Sequence, residues 1–132
     1  MKIVIDTNIF VSSFFWGGNP RKIFDRVMDG LDELYITDEI LDEITEVMAR
    51  NKFNLELEKI EEYAKIIENR SVKVFPYNNG SFYSRDRDDN KFIICGIIGR
   101  VDYIISGDNH LLELEEINGI KIMSPKKYLE II

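Results

Sequence analysis

Four acidic residues, Asp6, Glu43, Asp89 and Asp108, stand where the sequence pattern changes or where an apolar stripe ends. Asp6 closes the β-branched run Lys2 to Ile5, and a carboxylate ending a buried strand is costly unless something compensates its charge. Asp108 holds the equivalent point after the run Val101 to Ile105, in Ser106-Gly107-Asp108-Asn109. Asp89 precedes Phe92 by three residues at the head of an apolar helix, where free N–H groups favour negative charge. Glu43 shares a helix face with Ile40 and Val47, at the margin of the apolar stripe, with Glu39 and Glu46 expected to point elsewhere. Carboxylates brought from separate elements bind Mg²⁺ or Mn²⁺ through hard oxygen donors and leave room for water and a phosphate. One or two such ions orient a phosphodiester and activate water against it.

Each acid also has a structural reading. Asp6 and Asp108 can cap the helices that follow them, with one oxygen accepting a backbone N–H while the other meets an ion. Glu43 can be a solvated boundary residue, and Asp86 or Asp88 can replace or accompany Asp89. Arg85, Arg87 and Lys91 either contact phosphate or belong to a solvated charged loop. His110 reads as a polar helix-start residue rather than a base.

The elements that must position these groups alternate along the chain. Strands are predicted over Lys2 to Ile5, Leu34 to Ile36, Val72 to Phe75, Val101 to Ile105 and Ile120 to Met123. Between them lie a buried helix from Ile9 to Phe15, a second begun by an Asn19 cap and Pro20 and stopped by Gly30, and a third capped by Thr37. A fourth helix carries Leu55 to Ile67, a fifth starts near Asp89, a sixth spans His110 to Ile117, and a terminal turn or two covers Lys126 to Ile131. Residues 76–88 form a loop of thirteen residues that holds Tyr77, Phe82 and Tyr83. Such alternation calls for an α/β fold: a central parallel sheet of about five strands with helices on both faces, and chemistry in the loops after the strands.

Length and composition narrow the choices. With 132 residues and no linker-like stretch, the chain is expected to form a single domain over 1–132. Its 24 acidic and 17 basic residues leave a formal charge of −7, which argues against bulk attraction of nucleic acid but not against a metal-neutralised acidic site. Cys95 is the only cysteine and sits in an apolar run, so it reads as a core residue. No zinc-type cysteine set, Gly-rich phosphate loop with Gly-Lys-Ser/Thr, or nucleophile elbow occurs. No apolar run approaches about 18 residues, and a cytoplasmic protein is expected. Phe15 and Trp16, beside Gly17-Gly18, are expected to pack a core edge or a dimer surface, with base stacking as the remaining option.

The whole chain resembles the PIN-domain ribonucleases, especially the VapC-like toxin branch. The likeness rests on four stretches in this order: Val4-Ile5-Asp6-Thr7-Asn8-Ile9-Phe10, Glu39-Ile40-Leu41-Asp42-Glu43-Ile44, Arg85 to Ile93, and Asp102 to Leu112. The resemblance implies a three-layer α/β/α sandwich and a metal site made by Asp6, Glu43, Asp89 and Asp108, with Asn8 as polar support. Asp86 becomes an auxiliary candidate, and so does Ser106, which keeps a hydroxyl where the family often has Thr. It further implies hydrolysis of RNA with Mg²⁺ or Mn²⁺, a cognate antitoxin and a homodimer or higher homo-oligomer. Two other classes compete with it: a catalytically inactive PIN-fold scaffold, and a receiver-like signalling domain. The receiver reading is weakened because Val72 to Phe75 leads into Pro76-Tyr77, with no acceptor aspartate.

Overall fold

The structure, a computed structural model, describes residues 1–76 and 87–132; the side chains of Asn51 and of residues 87–89 lie outside what it describes. In chain order the elements are β1 (Lys2–Ile5), α1 (Thr7–Phe15), α2 (Gly18–Met28), β2 (Glu33–Ile36), α3 (Asp38–Met48), α4 (Leu57–Asn69) and β3 (Ser71–Lys73). They continue with α5 (Arg87–Gly99), β4 (Tyr103–Ile105), α6 (Asn109–Leu112), β5 (Glu116–Ile117), β6 (Ile120–Met123) and α7 (Pro125–Ile131).

Ile3, Val4 and Ile5 are all buried, a run without polar alternation that suits only a strand covered on both faces. Accordingly β1 lies inside a sheet of order β3-β2-β1-β4-β6-β5, parallel throughout except for the β5–β6 pair. The chain steps outward from β1 to β2 to β3, then returns past β1 to β4. Right-handed crossovers therefore put α1 to α4 on one face and α5 on the other, where α5 packs on β1, β2 and β4. Helix α7 returns to the first face against α2. This is a mostly parallel three-layer sandwich, and its strand order reverses between β1 and β4. A crevice opens at such a reversal, outside the carboxyl ends of the two strands.

Local chemistry explains the helix boundaries. Thr37 accepts from the Ile40 amide at 3.2 Å, and Asp38 and Glu39 fill the first turn of α3. At the end of α2 the Gly30 and Leu31 amides return to the Val27 and Arg26 carbonyls, and Gly30 takes the left-handed conformation this closure needs (φ 78°). The α2 start differs from expectation: its cap is Gly17, with φ 77°, and Asn19 already lies inside the helix. Two glycines of α5 let it approach the sheet closely. A Cβ on Gly96 would stand 3.2 Å from Ile104 and Val101, and one on Gly99 only 2.7 Å from the Tyr35 ring.

Two further differences lie at the edges of the sheet. The helix expected over His110 to Ile117 stops at Leu112, and Glu116–Ile117 instead forms a sixth strand antiparallel to β6. Asn118 and Gly119 join them with φ of 48° and 81°, both positive as a two-residue hairpin turn demands. The third strand runs over Ser71–Lys73, in register with Leu34 to Ile36, and leaves Phe75 69% exposed. Of the expected loop, residues 77–86 lie outside the described residues, and with them Asp86, Arg85, Tyr77, Phe82 and Tyr83.

Cys95 is fully buried in the core, and burial pushes its thiol up to about 12. Phe15 stacks on Phe53 with ring centroids 4.5 Å apart, while Trp16 beside them is 70% exposed. Among the described residues no helix is long and apolar enough to cross a membrane.

Candidate functional site

Asp6 is set in place before its side chain does anything. Its amide donates to the Ile105 carbonyl at 3.0 Å, extending the β1–β4 pairing by one residue, and the Ser106 amide donates to Met123 in the same way. Asp6 and Ser106 thus leave the sheet side by side, at the strand-order reversal. The Asp6 carboxylate is buried, with 4% residue exposure. Its Oδ1 caps α1 by accepting from the Ile9 amide at 3.0 Å, while Oδ2 accepts from the Ser106 hydroxyl and from the Gly107 amide at 3.2 Å.

The Ser106 hydroxyl in turn accepts from the Asp108 amide at 2.9 Å. One buried oxygen therefore ties the two acidic turns together, and each turn also caps a helix: Asp108 Oδ1 accepts from the His110 amide at 2.7 Å. His110 follows Asp108 at the start of α6, with Nδ1 3.7 Å from Oδ1. Burial pushes the Asp6 carboxyl above its ordinary range and nearby Asp108 adds to the push, against the hydrogen bonds from Ser106, Ile9 and Gly107. Those bonds do not fully compensate the ionised form.

Above these turns lies an open cleft of about 790 Å³. Among the described residues its walls carry six carboxylates, Asp6, Glu39, Asp42, Glu43, Glu46 and Asp108, against two cations, Arg50 and Lys91. Asn8, Val47 and Phe92 also line it, as does Thr7, whose buried hydroxyl has no hydrogen-bond partner among the described residues. Glu39 and Glu46 do not point elsewhere, as the sequence reading had it: positions 39, 43 and 46 are four and three residues apart and share the face of α3 that looks into the cleft. That spacing was available in the sequence and marks a row of acids rather than one.

Lys91 is not a solvated loop residue: its side chain is only 7% exposed and its ammonium donates to Glu43 Oε2. Asp89 falls in the first turn of α5, two and three residues before the cleft-lining Lys91 and Phe92, but its side chain is outside the described residues. Among the described residues no three Asp, Glu, His or Cys side chains gather closely enough to hold an ion between them. Asp6 and Asp108 stand together, and Glu43 faces the same cleft paired with Lys91.

The donors are nevertheless of the kind a hard divalent cation prefers: carboxylates, with a hydroxyl and an amide nearby and no sulfur. The under-compensated charge of buried Asp6 is what such a cation would balance.

A family model described as the PIN domain matches residues 2–110. The chain is 34% identical, over an alignment 141 positions long, to the uncharacterized protein MJ1680 of Methanocaldococcus jannaschii, an alignment covering 98% of this chain and 90% of that relative. Its fold is similar to a chain in the crystal structure of VapBC2 from Rickettsia felis bound to a DNA fragment from their promoter. That match has a TM-score of 0.63 at 12% identity and covers 92% of this chain and 97% of the other.

Proposed function

Because this chain belongs to the PIN-domain family, a family of nucleases, we propose that it is a metal-dependent ribonuclease working in the cleft above β1 and β4. The observation that carries this reading is the joining of Asp6 to Asp108 through the Ser106 hydroxyl, at the strand-order reversal and facing Glu43. Asp6, Glu43, Asp89 and Asp108 would hold Mg²⁺ or Mn²⁺, as one ion or two. When bound, the metal supplies charge neutralisation at the scissile phosphate and activation of the attacking water.

The chain's own residues do the rest. Ser106 and the Ile9 and Gly107 amides fix the Asp6 oxygens, leaving room on the carboxylate for about one further ligand. Asn8, exposed at the cleft wall, would serve as polar support for the acidic set. The acidic lining repels the phosphates of a nucleic acid except where a cation neutralises it, so binding and turnover depend on the same ion.

Single-stranded RNA is the proposed substrate, and a cognate antitoxin, homodimer assembly and a cytoplasmic setting complete the reading, with 1–132 acting as one PIN unit. A scaffold without turnover is the second reading, favoured by the Lys91–Glu43 pair. The receiver-like alternative gives way to the family assignment. The deciding experiment compares wild type with Asp6→Asn on a panel of structured and unstructured RNAs in Mn²⁺, Mg²⁺ or EDTA. Cleavage by wild type alone, abolished by EDTA, is expected. Equal cleavage by both proteins would place the activity elsewhere, and a folded wild type inactive on every RNA would favour the scaffold.

A further inference from the structure

Lys91 is a cation almost wholly withdrawn from solvent in a cleft built of acids. A buried ammonium is costly unless paired, and among the described residues its partner is Glu43, 48 positions away on another helix. The buried neighbours Phe92 and Ile93 anchor its helix turn, and the ammonium also lies 5.6 Å from the centroid of the Phe92 ring. Glu43, 28% exposed at the side chain, is the described carboxylate that the proposed metal set takes from α3. A lysine on that carboxylate neutralises it and occupies one of its oxygens.

We propose that Lys91 is the resident counter-ion of this cleft: it holds Glu43 while no divalent ion is bound and releases it when one binds, thereby setting the affinity for metal. The proposal rests on the metal-dependent reading above. Its physical content is competition between an internal monovalent cation and an external divalent one for one carboxylate. The folded metal-free protein then does not have to carry Glu43 unpaired in the cleft that Asp6 and Asp108 also line, and the cost is weaker binding of the ion. Lys91 is thus a positioning residue, acting through Glu43 rather than on the substrate.

The test is Mn²⁺ binding by calorimetry to wild type, Lys91→Met, Glu43→Gln and the double variant, with melting temperatures in EDTA. Lys91→Met is expected to bind Mn²⁺ about tenfold more tightly or better, the effect of freeing one carboxylate charge to attract a nearby divalent ion in a water-like dielectric. It is also expected to melt at lower temperature in EDTA. In the Glu43→Gln background the same lysine substitution is expected to change affinity by less than about threefold, because the competition runs through that carboxylate.

Unchanged or weaker binding by Lys91→Met overturns the proposal, as does undiminished tightening in the Glu43→Gln background. Absence of Mn²⁺ binding by folded wild type overturns the metal reading and the proposal with it. Should Lys91→Met fail to fold, wild type labelled with ¹³C at lysine Cε decides the matter, its Lys91 signal assigned with Lys91→Arg. Added Mg²⁺ must shift that signal toward those of exposed lysines, and a signal that stays in place refutes release.

Discussion

Replacing Ser106 by Ala removes one oxygen atom from the base of the cleft and should cost far more than its size suggests. The hydroxyl donates to the buried Asp6 carboxylate and accepts from the Asp108 amide. A hydrogen bond to a buried charged group contributes about 1.5–3 kcal/mol, and an ordinary one about 0.5–1.5 kcal/mol. Some relaxation is possible because the Gly107 amide still donates to Asp6, so the expected loss is about 2–4 kcal/mol. For a chain of this length that corresponds to a fall in Tm of roughly 8–16 °C, at about 4 °C per kcal/mol. The measurement is urea and thermal unfolding in EDTA, followed by far-ultraviolet circular dichroism. Fluorescence is a poor probe here, since the sole tryptophan, Trp16, is 70% exposed in the folded state. Ser106→Thr, which keeps the hydroxyl, should recover most of the loss. A Ser106→Ala protein melting within about 2 °C of wild type, under 1 kcal/mol, would show that the bridge contributes nothing, and the coupling of the two acidic turns would have to be abandoned.

Two other perturbations probe the frame around the site. Burial alone would raise the Asp32 carboxyl, but hydrogen bonding to Arg26, the nearby Tyr128 hydroxyl and the positive charges of Arg26 and the amino terminus together hold it below the usual range. A depressed folded-state value contributes stability above the unfolded value of about 3.9 and loses it as pH falls through the folded one. Asp32→Asn should therefore cost about 2 kcal/mol at pH 7, with the gap to wild type closing below about pH 4; a gap independent of pH in urea titrations would refute the linkage. Gly99→Ala puts a methyl 2.7 Å from the Tyr35 ring and should destabilise by about 1–3 kcal/mol despite a gain of about 0.5–1 kcal/mol in helix propensity. A Gly99→Ala protein as stable as wild type in urea would mean that α5 does not need its close seat on the sheet.

What could be read along the chain was set by neighbours a few residues apart. Alternating strand and helix patterns lead to a parallel α/β sheet, and Thr37 and the Asp6 and Asp108 turns work as caps because capping is satisfied within three residues. Two further features are local in origin: the Asn118-Gly119 hairpin turn and the acidic row at positions 39, 43 and 46. The rest required the folded chain. Helical spacing states which residues share a face but not what that face meets, so nothing in the charged run around Lys91 reveals that it lies against Glu43. Nor does local pattern reveal that β4 lies beside β1, the pairing that carries Ser106 across 100 positions onto Asp6. Strand order is chosen by the packing of whole layers, and that choice turns two separate caps into the two halves of one acidic cleft.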